Sequence, residues 1–359
     1  MTIAPERLIS ADSHVRLTQD RIKAHLPSRV HDEYDGALAQ LAAGMRRAAG
    51  AGAANRQSLE NRSYPAAGRP GYHDARERLK DMDADGVDVE VLYCEVSGFR
   101  YLYLMKDGWR EASRGFNDAL AEFAAADPRR LVLSYQIPIH DIEHAVAEVA
   151  RVAAAGAKSL QLPVNPSELG LPDYYHERYD PLWSTISDTG LPVCLHIGLN
   201  TNLDDLTRRD PTPQKGIMVP VTALMTAEAF GMFVCTGVLE RHPGLKLVFV
   251  EPGLGWVPWW LATVDDQVTR QDYEFGLKEL PSFYFHRQVH ITFIEEPLAL
   301  AKLRHEIGVR NILWSTDYPH PVTSWPRSRA LVDEQFAAVP ADERALMVSG
   351  NAMRVWNLG

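Results

Sequence analysis

The sequence predicts an α/β protein that forms a single (β/α)8, or TIM, barrel with an inserted segment over its mouth. Short apolar strands alternate with amphipathic helices along the 359 residues, and eight such strands indicate a closed parallel ring. A chain of this length is often one barrel. The alternative is an open doubly wound sheet, which is disfavoured because no Gly-x-Gly-x-x-Gly motif follows the first strand.

The first strand, Leu8 to His14, ends in polar side chains. Asp12 and His14 are two residues apart, so on a strand both point to the same face and can reach one point. Residues 31–72 follow and are rich in Ala, Gly, Arg and Asn, with a helical patch from Tyr34 to Ala49. We interpret 31–72 as an excursion over the barrel mouth that serves as a lid or a substrate-specificity segment.

Regular alternation of helices and strands begins after this excursion. Asp74 to Asp85 has the pattern of an amphipathic helix that ends at Gly86. Asp180 before Pro181 is typical of an N-cap followed by proline in the first helical turn. The other predicted elements of this part are the strand Val87–Tyr93, the helix Trp109–Ala126, the strand Leu131–Pro138, the helix Ile142–Ala155, the strand Lys158–Pro163, the helix from Asp180 to Thr189 and the strand Pro192–His196.

The remaining sequence continues the same pattern. The apolar stretch Val219–Leu239 contains Pro220 and Glu228, which favours a buried helix over a membrane span. Tryptophans in the helix after the sixth strand have helical spacing, which favours core packing over a substrate wall. The predicted elements are the helix Val221–Leu239, the strand Leu245–Glu251, the helix Trp256–Val268, the strand Gln288–Ile294, the helix Ala299–Ile307 and an eighth strand that ends in Asp317.

Composition limits the kinds of partner. The net charge of -10 and the pI near 5.7 leave no basic excess for nucleic acid or an anionic membrane, so we expect a small-molecule substrate. Met1 to Ser10 lacks the basic and apolar regions of a signal peptide, which predicts a cytoplasmic protein. The cysteines are widely spaced structural thiols: Cys94, Cys194 and Cys235. Many apolar helices suggest a homo-oligomer by analogy.

Polar residues at the ends of the predicted strands define a candidate site, because these ends share one mouth of a barrel. Two imidazoles and two carboxylates suit a divalent metal such as zinc, manganese or iron. The residues that we select as metal ligands are Asp12, His14, His196 and Asp317. The candidates for a second metal position are Glu251, Glu295 and His320, and those for catalysis are Glu251, Asp317 and His320.

Each of these residues also has a structural interpretation. A strand-end Asp often caps the next helix, and a single buried His is often a satisfied core residue. Glu251 could form a salt bridge or a cap, and Glu295 could begin the helix that follows Pro297. His320 could contact substrate or a carboxylate, or it could pack against Trp325.

Four short motifs resemble those of a known family. They are Asp12-Ser13-His14, Leu195-His196-Ile197-Gly198, the segment from Phe249 to Trp256, and Ser315-Thr316-Asp317-Tyr318-Pro319-His320. In this order they resemble the amidohydrolase-related metal-dependent hydrolases, in the branch of aminocarboxymuconate-semialdehyde decarboxylase and the resorcylate-type decarboxylases. The resemblance covers nearly the whole chain. It implies a (β/α)8 barrel whose metal is held by Asp12, His14, His196 and Asp317.

Two residues depart from the pattern of that family. Asp12 stands where His or Glu is usual, which keeps a ligand but adds a carboxylate. Glu251 stands where the decarboxylases typically have a sixth-strand His that handles water or substrate. The second departure weakens a direct transfer of decarboxylase chemistry to this chain.

The resemblance and the residues lead to two hypotheses about activity. The first is metal-dependent hydrolysis or non-oxidative decarboxylation of an organic acid or carbonyl compound, with Asp317 or Glu251 moving the proton. The alternative is a non-haem di-iron monooxygenase that holds two irons and hydroxylates an apolar substrate with dioxygen, because the barrel mouth is rich in carboxylates. A non-catalytic binding protein is disfavoured, because four potential ligands remain in register.

Overall fold

The computed structural model describes residues 6–49, 68–94, 101–197, 209–212, 216–271 and 275–359, and for 44–49, 218, 219, 222 and 225 it describes the backbone only. Eight strands follow one another in chain order around one parallel sheet. They are β1 Ile9–Val15, β2 Val89–Cys94, β3 Leu131–Gln136, β4 Ser159–Gln161, β5 Pro192–His196, β6 Lys246–Val250, β7 Val289–Phe293 and β8 Ile312–Trp314. The predicted (β/α)8 barrel is confirmed.

The ring closes between β1 and β8 without a regular ladder in the described part of the chain. Ser13 and Tyr318 form an isolated parallel bridge just beyond the end of β8. The His14 amide donates to the Tyr318 carbonyl at 2.6 Å, and the Asp317 amide donates to the Asp12 carbonyl at 2.9 Å. The closure of the barrel therefore joins the segments that carry three of the predicted ligands.

A bulge in β1 sets which side chains enter the barrel. Ser10 is paired with Glu90, but the next partners are Ser13 and Leu92, so β1 contains one extra residue. Side chains before the bulge alternate between the interior and the helix layer. The extra residue shifts this alternation and turns both Asp12 and His14 toward the interior.

The apolar core has two layers. The interior layer is filled by strand residues of small or medium size and includes Val91, Val248 and Leu313. Trp356, 1% exposed, completes this layer, and its Nε1 donates to the Ser159 hydroxyl at 3.0 Å. The C-terminal segment thus covers the barrel end opposite the mouth. The second layer lies between the strands and the surrounding helices.

Helices surround the ring and connect consecutive strands. The helix Ala75–Asp85 has Asp74 as its N-cap and Gly86, at φ 72°, as its C-cap, as the sequence predicts. The helices are Gln19–Ala24, His31–Ala49, Ala75–Asp85, Trp109–Ala124, Ile142–Ala154, Asp180–Thr189, Met218–Cys235, Val238–Arg241, Val257–Arg270, Pro281–Gln288, Pro297–Lys302, Arg304–Ile307, Ser328–Gln335, Ala341–Ala345 and Asn351–Val355, with a π-helical turn at Leu346–Gly350.

Several predicted boundaries differ from those of the structure, and three of them differ for local reasons. The helix predicted over Val221–Leu239 is interrupted at Gly237, whose φ of 79° lies in the left-handed region. Asp180 is the first helical residue and not the N-cap, and its carboxylate pairs with His242 at 3.1 Å. The eighth strand ends at Trp314, so Asp317 lies in the turn that follows it.

The excursion 31–72 is described at both ends only. It begins with the helix His31–Ala49 and finishes with a 3-10 turn at Pro70–Tyr72, whereas 50–67 lie outside the described residues. Glu33 accepts hydrogen bonds from the amides of Asp107 and Gly108 at 3.0 and 2.8 Å, in the segment after β2. The start of the excursion therefore docks on the mouth side, and its role as a lid stays a prediction.

Candidate metal centre

Six of the polar residues selected from the sequence meet at the barrel mouth. Asp12 and His14 come from β1, and His196 is the last residue of β5. Glu251 follows β6 directly, and Asp317 and His320 lie in the turn after β8. Parallel strands place their carboxyl ends at one rim, which explains why residues so distant in sequence converge.

The ligand atoms surround one small volume. His14 Nε2 lies 3.1 Å from Asp317 Oδ1 and 3.2 Å from His196 Nε2. His196 Nε2 lies 3.3 Å from Asp12 Oδ1. Metal bonds of about 2.1 Å place neighbouring ligand atoms about 3 to 3.5 Å apart in octahedral or tetrahedral sites. The spacing of Asp12, His14 and His196 fits one divalent ion, whereas Asp317 reaches this set only through His14.

The tautomer of His196 also suits metal binding. Its Nδ1 is 2.7 Å from the carbonyl of Ile197, so this nitrogen carries the proton and donates it to the carbonyl. The Nε2 lone pair then points toward Asp12 and His14. A backbone carbonyl behind a histidine ligand is a common way to fix the ring.

Two buried carboxylates give an independent test of this interpretation. Asp12 and Asp317 are both 0% exposed, and neither carboxylate accepts a hydrogen bond within the described part of the chain. Burying an ionised carboxylate without such a partner is costly. A divalent cation bound by these carboxylates and the imidazoles that face them would supply a compensating charge, so these residues fit a metal.

Glu251 and His320 complete the group on its outer side. Glu251 Oε2 is 3.8 Å from His196 Nε2. His320 Nδ1 is 3.1 Å from Asp317 Oδ1, and its ring stacks on His14 with centroids 3.8 Å apart. Trp325, the other contact that the sequence allowed for His320, packs on Tyr318 with ring centroids 5.9 Å apart. The candidate residues form two groups whose ligand atoms lie within 4.8 Å of one another, and the groups share two residues. They are Asp12-His14-His196-Glu251 and His14-Glu251-Asp317-His320.

The mutual charges of these residues shift their pKa values. Burial alone lowers the pKa of His196, but the negative charge of Asp12 outweighs burial and raises the pKa to about 9. Burial also raises the pKa of Glu251, and the charge of Asp317 adds to this effect. Protons therefore occupy sites that a cation would take, and metal binding must displace them.

The family comparison decides the class of protein. Residues 11–358 match the model of the amidohydrolase family. The chain belongs to the amidohydrolase family. This finding confirms the resemblance carried by the four motifs, and the protein is a metal-dependent enzyme of the hydrolase or carboxy-lyase type.

Individual relatives agree with this membership. A gamma-resorcylate decarboxylase from Rhizobium radiobacter is 27% identical over 262 residues, covering 67% of this chain and 76% of that protein. The structure of 5-carboxyvanillate decarboxylase from Sphingomonas paucimobilis matches with a TM-score of 0.73 and 22% identity, over 99% of this chain and 100% of that one. A 5-carboxyvanillate decarboxylase from Novosphingobium aromaticivorans, complexed with manganese, matches with a TM-score of 0.73 and 18% identity, over 98% and 96% of the two chains. Both structures share the barrel fold.

Arg78 contacts two segments that carry candidate metal ligands. No sequence pattern indicated this role. This arginine is 0% exposed and pairs with Glu90 on β2. Its Nη1 donates to the His14 carbonyl at 2.9 Å, and its guanidinium lies 4.2 Å from the centroid of the Tyr318 ring. Arg78 thus holds the backbone of a predicted ligand from β1 and the turn after β8.

Glu295 does not join the other candidates. Its side chain is exposed, and it belongs to neither of the two ligand groups found among the described residues. It lines a cleft of about 680 Å³ that also includes Glu251 and Trp256. Trp256 therefore lies beside the site, and it also packs against the apolar core, which is the arrangement that the sequence favoured.

Proposed function

We propose that this amidohydrolase is a manganese-dependent, non-oxidative decarboxylase of aromatic carboxylic acids. The convergence of imidazoles on two buried carboxylates that accept no hydrogen bond from a described residue, at the barrel mouth and beside an apolar cleft, carries the proposal. Decarboxylation is preferred over hydrolysis because the relatives named above are aromatic acid decarboxylases. No relative among them supports the di-iron monooxygenase alternative.

Asp12, His14, His196 and Asp317 would hold the ion. A mixed set of imidazole and carboxylate ligands accepts manganese as well as zinc or iron, and manganese is present in one of the similar structures. When bound, a divalent ion supplies positive charge that attracts the substrate carboxylate and stabilises the negative charge that develops in the reaction. One ion per chain is expected, because the two ligand groups share His14 and Glu251.

Decarboxylation requires an acid that protonates the carbon that loses carbon dioxide. Glu251 suits this role, because it lines the cleft and its side chain is 21% exposed, whereas Asp317 is fully buried. The electrons of the broken carbon–carbon bond remain on the ring carbon, which takes the proton of the Glu251 carboxyl group. Solvent then returns a proton to Glu251. His320, in contact with Asp317, orients that carboxylate.

Metal content and carbon dioxide release test this proposal. Protein purified without added metal is analysed for metal, loaded with manganese, and assayed with a panel of hydroxybenzoic acids in deuterium oxide. We expect one metal per chain and one deuterium at the vacated ring carbon. Asp317→Asn and His196→Ala should lose most of the metal, whereas Glu251→Gln should keep it and release carbon dioxide about 100-fold more slowly.

Several results would contradict the proposal. If Asp317→Asn and His196→Ala both leave metal content and activity unchanged, the site assignment is wrong. Two irons per chain with a strict requirement for dioxygen would establish the monooxygenase alternative instead. Oxygen from water in the product without loss of carbon dioxide would establish hydrolysis.

A cytoplasmic location and a homo-oligomeric state remain predictions. The buried, unpaired thiols of Cys94 and Cys194 support a compartment in which cysteines stay reduced. None of the helices in the described ranges combines the length and the apolar composition that a bilayer span requires. Fractionation and light scattering would test both expectations.

A further inference from the structure

The cleft beside the metal centre has a wall of apolar side chains. It occupies about 680 Å³, which is the size of a small-molecule site. It is formed by segments that follow β5, β6, β7 and β8, and Glu251 connects it to the ligand group. The apolar wall consists chiefly of Ile197, Leu224, Leu254, Trp256, Phe293 and Val322.

Three carboxylates line the cleft, and their surroundings differ. Glu296 accepts hydrogen bonds from the amides of Leu254 and Gly255 at 2.7 and 3.0 Å, so its charge is engaged by the backbone. Glu251 is directed to the metal centre. Glu295 is exposed and forms no ion pair with any described residue. Among the described residues that line the cleft, none is Lys or Arg.

This distribution of charge limits what the cleft can bind. A carboxylate of the substrate is stabilised at the metal centre, where the cation would lie. A second anionic group in the cleft would lose its hydration, would find no cation in the described wall, and would lie near Glu295. An uncharged body has no charge to be desolvated in the same place, and a cationic group would be attracted by Glu295.

We propose that the cleft selects substrates with one carboxylate and an apolar body that is uncharged or carries a positive group, and that it rejects dicarboxylates. The inference rests on the proposed function for the position of the first carboxylate. The cleft wall and Glu295 then determine, by charge, which carboxylic acids bind. Selectivity arises here from an unfavourable environment for the wrong substrate, not from added contacts to the right one.

Three ligands of similar shape and different charge test the proposal. Binding of 3-methylbenzoate, isophthalate and 3-(aminomethyl)benzoate to the manganese-loaded protein is measured by calorimetry. We expect isophthalate to bind at least tenfold more weakly than 3-methylbenzoate, because its second carboxylate enters the cleft. We expect 3-(aminomethyl)benzoate to bind at least as tightly as 3-methylbenzoate.

Substitutions in the wall should change this order in a defined direction. Glu295→Gln should reduce the gap between 3-methylbenzoate and isophthalate, whereas Glu306→Gln, an exposed glutamate outside the cleft, should not. Leu224→Arg places a cation in the wall and should make isophthalate the tighter ligand. Leu298→Arg is the matched control, since Leu298 is 71% exposed and does not line the cleft.

The possible outcomes separate the two proposals. Isophthalate binding as tightly as 3-methylbenzoate, or no binding by any of the three ligands, would overturn the selectivity of the cleft. The expected order of affinities without release of carbon dioxide from any monocarboxylate would support the cleft and refute the decarboxylase. Unchanged selectivity in Leu224→Arg would show that the second group does not enter this cleft.

Discussion

Two carboxylates of the metal centre lie on backbone that their residue types rarely adopt. Glu251 has a φ of 67° and Asp317 a φ of 50°, and both values lie in the left-handed region. Such positions cost about 1 to 3 kcal/mol each and persist where the surrounding structure enforces them. Since each residue follows the end of a strand, the strained backbone turns its side chain back toward the mouth. The backbone strain at Glu251 and Asp317 thus lowers the stability of the fold at two residues of the proposed active site.

Arg78 provides a prediction at the scale of single residues. Arg78→Met leaves Glu90 buried without its partner, so we expect the free energy of unfolding to fall by about 3 to 5 kcal/mol. We also expect weaker manganese binding, because the His14 carbonyl loses its donor. Urea denaturation and metal titration measure the two effects.

A second variant separates these two effects of Arg78. Arg78→Met combined with Glu90→Leu removes both charges and should regain much of the stability, but manganese affinity should stay low. Arg76→Met, an exposed arginine on the same helix, should change neither quantity. Full recovery of manganese affinity in the double variant would show that Arg78 acts only on stability.

Sequence patterns identified most of the candidate residues that meet at the mouth, because strand ends are recognisable. An apolar run that stops at Asp or His is visible in one sequence, and it identified Asp12, His196 and Asp317 as neighbours at one rim. Arg78 could not be found in this way, because nothing local distinguishes a buried arginine from an exposed one on an amphipathic helix. Its role depends on the partner that the fold supplies.

At the scale of elements, the bulge in β1 is a feature that the alternation of side chains along a strand does not predict. Strict alternation from Ile9 would place Asp12 and His14 on the face of Leu8 and Ser10, toward the helices. The extra residue reverses this and turns both side chains inward. The sequence predicted that the two residues share a face, which is correct, but a bulge depends on pairing with β2 and has no local signature here.

The cap of the helix Ala75–Asp85 gives a prediction about one element. Asp74 accepts hydrogen bonds from the amides of Arg76 and Glu77 at 2.8 and 3.1 Å. Asp74→Ala removes both and should lower the free energy of unfolding by about 1 kcal/mol. Asp74→Asn keeps an acceptor and should lose less, so equal losses in urea denaturation would contradict the capping role.

At the scale of the whole molecule, a buried histidine links stability to pH. His290 on β7 is 7% exposed, and burial lowers its pKa to about 3, with the charge of Arg354 adding to this effect. The unfolded chain takes up a proton near the ordinary value of about 6.5, whereas the folded protein does not. The contribution of His290 to stability is therefore present above pH 6.5 and is lost as the pH falls from 6.5 toward 3.

Replacing His290 tests this dependence. The comparison is made with a chelator present, so that metal binding does not contribute. The free energy of unfolding falls as the pH is lowered below 6.5, and His290→Gln should make this fall smaller by about 1.4 kcal/mol per pH unit. His305→Gln, at a histidine with a 61% exposed side chain, is the control. Parallel pH curves for wild type and His290→Gln would refute the argument.

The closure between β1 and β8 also bears on how the enzyme is made in the cell. The hydroxyl groups of Ser10 and Thr316 are 3.0 Å apart although 306 positions separate them in the chain. During translation, Asp12 and His14 leave the ribosome long before Asp317 exists. If these residues hold the ion as proposed, a nascent chain cannot present all four of them before Asp317 has been synthesised, and metal binding would follow the synthesis of the eighth strand.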